Sequence, residues 1–71
     1  MIIKDVKNNT VCLIDSNTGE VSTKYKGFNS QFVLPIGSTY IITRNRIRTI
    51  IKREAEYQYN TVSFELENLI N

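Results

Sequence analysis

Apolar and polar residues alternate with a period of two along much of this chain, the pattern of β-strands that bury one face. Segment 21–26 alternates cleanly, and its apolar or β-branched residues share one face: Val21, Thr23 and Tyr25. Segment 61–67 alternates in the same way, and three of its residues are expected to face inward: Val62, Phe64 and Leu66. Both segments are therefore predicted to be half-buried strands.

Shorter apolar runs separated by turn-forming residues predict the other strands. These runs lie at 2–6, 11–15, 32–34 and 39–43. The cluster at 15–20 contains Gly19, which can take the positive φ that closes a hairpin. Segment 27–30 breaks the alternation, and the segment from Pro35 to Ser38 is expected to be a tight connection.

Segment 46–57 allows two interpretations, a helix or a strand. Its isoleucines have helical spacing, but a helix would place arginines in the first turn and glutamates in the last, against the macrodipole. As a strand, segment 46–52 can pair antiparallel with segment 61–67, and two structural ion pairs are then expected: Arg46 with Glu67, and Arg48 with Glu65. A turn at Arg44-Asn45 would place Tyr40 and Ile42 on the apolar face of the preceding strand. The strand is the preferred interpretation.

The predicted fold is mainly β, with one small domain over residues 1–71. We expect an antiparallel meander of five or six strands that closes into an SH3-like or OB-like barrel, since closure removes exposed edges. The alternative is an α+β fold with one helix at about 46–57.

Composition excludes several classes of site. The chain has 71 residues, one cysteine and no histidine, so neither an internal disulfide nor a Cys/His zinc site can form. The usual general base is missing and Cys12 lies in an apolar strand, so Cys12 is expected to be a buried structural thiol and the protein not to be an enzyme. We expect no cofactor, no metal and no membrane span, and a cytoplasmic location.

The basic residues suggest how the protein binds a partner. Of its nine Lys and Arg residues, five lie at 44–53, and the net charge is only +2. The preferred hypothesis is a non-catalytic protein-interaction module (an adaptor, inhibitor or assembly subunit) that binds a protein or a second copy. The expected contact residues are Arg44, Lys52, Arg53, Tyr40, Tyr57 and Tyr59. The alternative is a small barrel that contacts nucleic-acid phosphates through segment 44–53. The Ile- and Asn-rich composition is typical of AT-rich genomes and would suit a phage or mobile-element protein.

Overall fold

The computed structural model describes residues 1–67 and shows an all-β protein of two antiparallel sheets. The first sheet has the order β1-β2-β3-β4, and the second has the order β5-β6-β7. The strands are β1 (Ile2–Lys4), β2 (Thr10–Ile14), β3 (Glu20–Tyr25), β4 (Phe28–Val33), β5 (Thr39–Arg44), β6 (Ile47–Ala55) and β7 (Gln58–Glu65). The prediction of a mainly β, antiparallel fold is confirmed, but the described chain has seven strands in two sheets where one meander of five or six strands was predicted.

The element types and the closure of the sheets differ from the prediction at several points. The ambiguous segment is the long strand β6, so the helix alternative at 46–57 is wrong. Segment 28–33 is a strand although its alternation is weak, and it is mostly exposed at a sheet edge. Within residues 1–67 no strand of one sheet pairs with a strand of the other, so the predicted closed barrel is not confirmed.

The core lies between the facing sides of the two sheets. Its buried residues are Ile3, Val11, Cys12, Ile14, Val21, Leu34 and Ile51. Val21 and Ile51 are completely buried, and each such aliphatic side chain contributes about 1.5–3 kcal/mol. Phe32 of the first sheet meets Tyr40 of the second edge to face, with ring centroids 4.8 Å apart. The inner side of each sheet is thus occupied by the contact between them.

Two hairpins close through two-residue turns in which both residues have positive φ, which is the type I′ conformation. The β5–β6 turn consists of Asn45 (φ 51°) and Arg46 (φ 65°), one residue later than predicted. This displacement changes the pairing by two residues, and a shift of two preserves the face on which each side chain lies. Tyr40 and Ile42 therefore lie on the inner side, as predicted.

The β6–β7 pairing differs from the prediction by one residue, and a β-bulge causes the difference. The turn sets Ala55 opposite Gln58, and continuing that register would place Arg48 opposite Glu65. Between Arg53 and Ala55 the register shifts, so that Glu54 is an extra residue in β6. Beyond the bulge Arg48 lies opposite Phe64 instead.

A shift of one residue moves every later side chain of β7 to the other side of the sheet. Val62 and Phe64, predicted to face inward, lie on the outer side and are 52% and 39% exposed. The predicted ion pairs are also wrong. Among residues 1–67, neither Arg46 nor Arg48 forms an ion pair, and Glu65 binds the Lys7 ammonium at 2.9 Å.

Candidate interaction surface on the second sheet

The outer side of the second sheet carries a row of apolar side chains across all three strands. Ile41 of β5 lies opposite Ile50 of β6, which lies opposite Val62 of β7. Phe64 is two residues along β7 and faces the same way. Ile41 is 55% exposed, about as much as Val62. We call these four residues, Ile41, Ile50, Val62 and Phe64, the outer apolar face.

The outer apolar face is not needed to cover the core. An antiparallel sheet with one side on the core normally has polar residues on the other side. The inner side of this sheet already packs on the first sheet through residues such as Ile51 and Tyr40. Adjacent exposed apolar residues on a surface of this kind are characteristic of contact with another molecule.

A positively charged residue stands on each side of Ile50 along β6. Arg48 donates a hydrogen bond from Nε to the Thr43 hydroxyl at 3.2 Å, which holds its side chain along the sheet. Lys52 lies 4.0 Å from Glu54 in an exposed pair that contributes little. The outer apolar face is therefore flanked by cations at both ends of the β6 segment that carries it.

Arg53 was predicted to bind a partner, but only 6% of it is exposed and all three guanidinium nitrogens donate hydrogen bonds inside the protein. Nη1 donates to the Leu34 carbonyl at 2.9 Å and to the Thr18 carbonyl at 3.4 Å. Nε and Nη2 both donate to the Glu56 carbonyl, at 3.3 and 2.9 Å. A buried charge needs such partners, and the bonds to the Leu34 and Thr18 carbonyls join β6 to the first half of the chain. Arg53 is a structural residue.

Arg44, Tyr40 and Tyr59 also connect the sheets. Arg44 donates to the Val11 carbonyl at 3.1 Å, and its guanidinium lies 4.3 Å from the centroid of the Tyr25 ring. Tyr40 packs in the core, where burial raises the pKa of its hydroxyl. Tyr59 packs against the core and donates its hydroxyl to the carbonyl of Ser16 at 3.4 Å. All three residues make contacts within the protein, and their predicted role as partner contacts stays a prediction.

The remaining predicted contact residues, Lys52 and Tyr57, are exposed. Lys52 adjoins the outer apolar face. Tyr57 is 63% exposed in the β6–β7 turn, where the Glu56 carboxylate raises the pKa of its hydroxyl. Segment 44–53 is thus divided: two arginines point into the protein, Arg46 lies in a turn, and two cations lie on the outer side of the sheet.

Cys12 is 2% exposed, and burial raises the pKa of its thiol, while the nearby Arg44 partly offsets this effect. In residues 1–67, no group of three or more His, Cys, Asp or Glu side chains is placed to hold a metal ion. The same residues include no helix long and apolar enough to span a membrane.

The outer apolar face was not among the predicted sites, although the sequence contains a sign of it. Ile41-Ile42 and Ile50-Ile51 are pairs of adjacent apolar residues within strands. Because successive side chains of a strand point to opposite sides, such a pair places one isoleucine on each side of the sheet. The exposure of Val62 and Phe64 had no comparable sign, since it depends on the bulge at Glu54.

Compared with known proteins, the chain matches no family model, no curated protein sequence and no solved structure.

Proposed function

We propose that this protein is a non-catalytic interaction module that binds a protein partner through the outer apolar face. One observation carries the proposal: Ile41, Ile50 and Val62 form an apolar row on the side of the sheet that does not cover the core, with Ile41 and Val62 exposed and Ile50 half-buried between them. The bulge at Glu54 supports it, because the unbulged register would have turned Val62 and Phe64 inward. Bulges that redirect side chains are frequent beside functional surfaces.

The flanking charges favour a partner with an apolar centre and acidic residues on either side. Arg48 and Lys52 would meet those acidic residues, which speeds association and sets the orientation. A second copy of this chain fits less well. When two such faces meet at Ile50, the residues on either side of it are positive in both copies, and like charges face each other.

The nucleic-acid alternative receives less support from the same surface. A sequence-tolerant nucleic-acid platform uses several aromatic rings on which bases stack. Three members of the outer apolar face are aliphatic, and Phe64 is its one aromatic residue. Two of the arginines proposed for phosphate contact, Arg44 and Arg53, donate to backbone carbonyls instead.

The experiment compares three forms of the protein: wild type, the double variant Ile41→Thr/Val62→Thr, and the control Ile36→Thr. Threonine keeps the β-branched shape and removes apolar surface. Ile36 is 57% exposed in the connection between the sheets, so the control loses a similarly exposed side chain elsewhere. Each form is used for affinity capture from the source cell, and each protein retained by the wild type is then purified and titrated calorimetrically.

We expect one purified partner to bind the wild type and the Ile36 control equally, and the double variant about tenfold or more weakly. The rate at which the wild type associates with this partner should fall as the salt concentration is raised. Equal binding to the double variant, or capture of nucleic acid alone, would refute the proposal. Sedimentation tests the alternative partner, a second copy. If the wild type has the mass of a dimer and the double variant has the mass of a monomer, the partner is a second copy, and the choice of an acidic protein is overturned.

A further inference from the structure

The first sheet contains an opening between two strands that follow one another in the chain. β2 and β3 pair at Ile14–Val21 and Leu13–Ser22. Continuing that register would set Val11 opposite Lys24, but the pairing stops and the strands diverge. A cavity of about 540 Å³ lies there, within the range of sites for small organic ligands.

Arg44 holds this opening from the core side. Val11 in a continuous ladder would exchange hydrogen bonds with Lys24, since ladder pairs recur at every second residue beyond Leu13–Ser22. The Val11 carbonyl accepts instead from Arg44 Nη1 at 3.1 Å. The guanidinium is fixed on its other side by the Tyr25 ring at 4.3 Å. The gap is therefore a supported feature of the sheet.

The lining combines an apolar part with a compact group of polar side chains. Val11, Cys12 and Leu13 supply apolar surface, and Asn29 and Gln31 of β4 supply amides. Among the lining residues of the described chain, Lys24 is the only one with a charged side chain. The Arg44 guanidinium behind Val11 adds a second positive charge, so the cavity favours an anion.

We propose that the opening between β2 and β3 binds a small organic carboxylate with a short apolar body. The carboxylate accepts hydrogen bonds from the Lys24 ammonium and the amides of Asn29 and Gln31, since charge-assisted bonds of this type are the strong ones. The apolar body lies against Val11 and Leu13. This site is on the first sheet, and it does not depend on the outer apolar face of the second.

The test is a titration of ¹⁵N-labelled protein with octanoate, followed by amide chemical shifts. Octanamide, which has the same length and no charge, is the matched control ligand. Lys24→Gln removes the cation of the cavity. Lys26→Gln removes an equal charge in the adjacent turn, outside the lining, and is the control variant. Ser22→Leu places a larger side chain in the lining to block the cavity.

We expect saturable shifts at Val11, Leu13 and Lys24 with octanoate and weaker ones with octanamide. Lys24→Gln should weaken octanoate binding about tenfold, and Lys26→Gln should leave it unchanged. A short peptide with a free C-terminal carboxylate, compared with its amidated form, shows whether a free acid or a chain terminus is the better ligand.

Three results would overturn the proposal: no shift at millimolar octanoate, equal binding of octanamide, or shifts confined to Ile41, Ile50 and Val62. Should Ser22→Leu fail to fold, the comparison of Lys24→Gln with Lys26→Gln decides the question without it. Octanoate binding that is about tenfold weaker in Lys24→Gln, with unchanged affinity in Lys26→Gln, supports the site.

Discussion

Replacing Arg53 with methionine should destabilise the protein, because methionine cannot donate the hydrogen bonds that the Arg53 guanidinium makes to backbone carbonyls. The carbonyls of Leu34 and Glu56, each 2.9 Å from a guanidinium nitrogen, lose their donor. The Leu34 carbonyl is buried, and a buried carbonyl without a donor costs about 1–3 kcal/mol, whereas the Glu56 carbonyl lies in an exposed turn and costs less. Removing a buried charge recovers part of this cost, so we expect a net loss of about 1–3 kcal/mol. The total free energy of unfolding of a chain of 71 residues is about 4–11 kcal/mol.

Urea unfolding followed by far-ultraviolet circular dichroism measures this loss, since the chain has no tryptophan to report it. The control is Lys52→Met, which removes a neighbouring, exposed charge from β6 and should change the free energy of unfolding by less than about 0.5 kcal/mol. A loss below about 0.5 kcal/mol in Arg53→Met, equal to that of the control, would show that the carbonyls find other donors and would refute the reasoning.

Gly19 provides a second check on the same contact. Its φ is +80°, and an added Cβ would lie 2.9 Å from the Leu34 carbonyl oxygen and would also collide with Nη1 of Arg53. A residue with a Cβ in the left-handed conformation costs about 1–2 kcal/mol, and Gly19→Ala should lower the free energy of unfolding by more than this because of the collisions. In the Arg53→Met background this cost should be smaller by about 0.5 kcal/mol or more, because one of the two collisions is gone. If the free-energy changes of Gly19→Ala and Arg53→Met simply add in the double variant, the contact between Gly19 and the Arg53 guanidinium is contradicted.

Three further predictions concern a turn, a carboxylate and the thiol. Arg46 has a φ of 65°, so Arg46→Gly should stabilise the protein by about 0.5–1 kcal/mol in urea unfolding. The backbone N–H groups of Asn9 and Lys7 donate to the Asp5 carboxylate and lower its pKa below 3.8. The contribution of this carboxylate to the free energy of unfolding is therefore present above that pH and lost as pH falls through the folded pKa. Asp5→Asn should remove this acid dependence of the urea midpoint. Cys12 is only 2% exposed, so a thiol reagent should react with it no faster than circular dichroism shows the protein unfolding.

Local patterns predicted the strands that bury one face. Segment 21–26 is the strand β3 with Val21 and Thr23 buried, as alternation indicated. The first part of β4, at 28–31, was missed because an edge strand with both sides largely exposed needs no alternation. Its pairing with β3 comes from the two-residue turn at Lys26-Gly27, both at positive φ, and Lys-Gly is a weak signal for that conformation.

The register of β7 could not be predicted from local pattern. The bulge at Glu54 directly follows Arg53, whose guanidinium donates to the carbonyls of Thr18 and Leu34, residues far away in the sequence. The candidate site depended on the same event, since the bulge decides that Val62 and Phe64 face outward. The roles of Arg44 and Arg53 were missed for a related reason: carbonyl acceptors carry no sequence signature, whereas carboxylate partners do.

The connection from Leu34 to Ser38 joins two halves that are each complete in their strand pairing. Every pairing in the described chain lies within the half before Ile36 or within the half after it. Arg44 and Arg53 reach from the second half to carbonyls of the first, so they orient one half on the other. A chain cut between Ile36 and Gly37 keeps all its ladders and all its acceptors. The protein is therefore suited to fragment complementation, in which two separate polypeptides restore one structure and report on whatever brings them together.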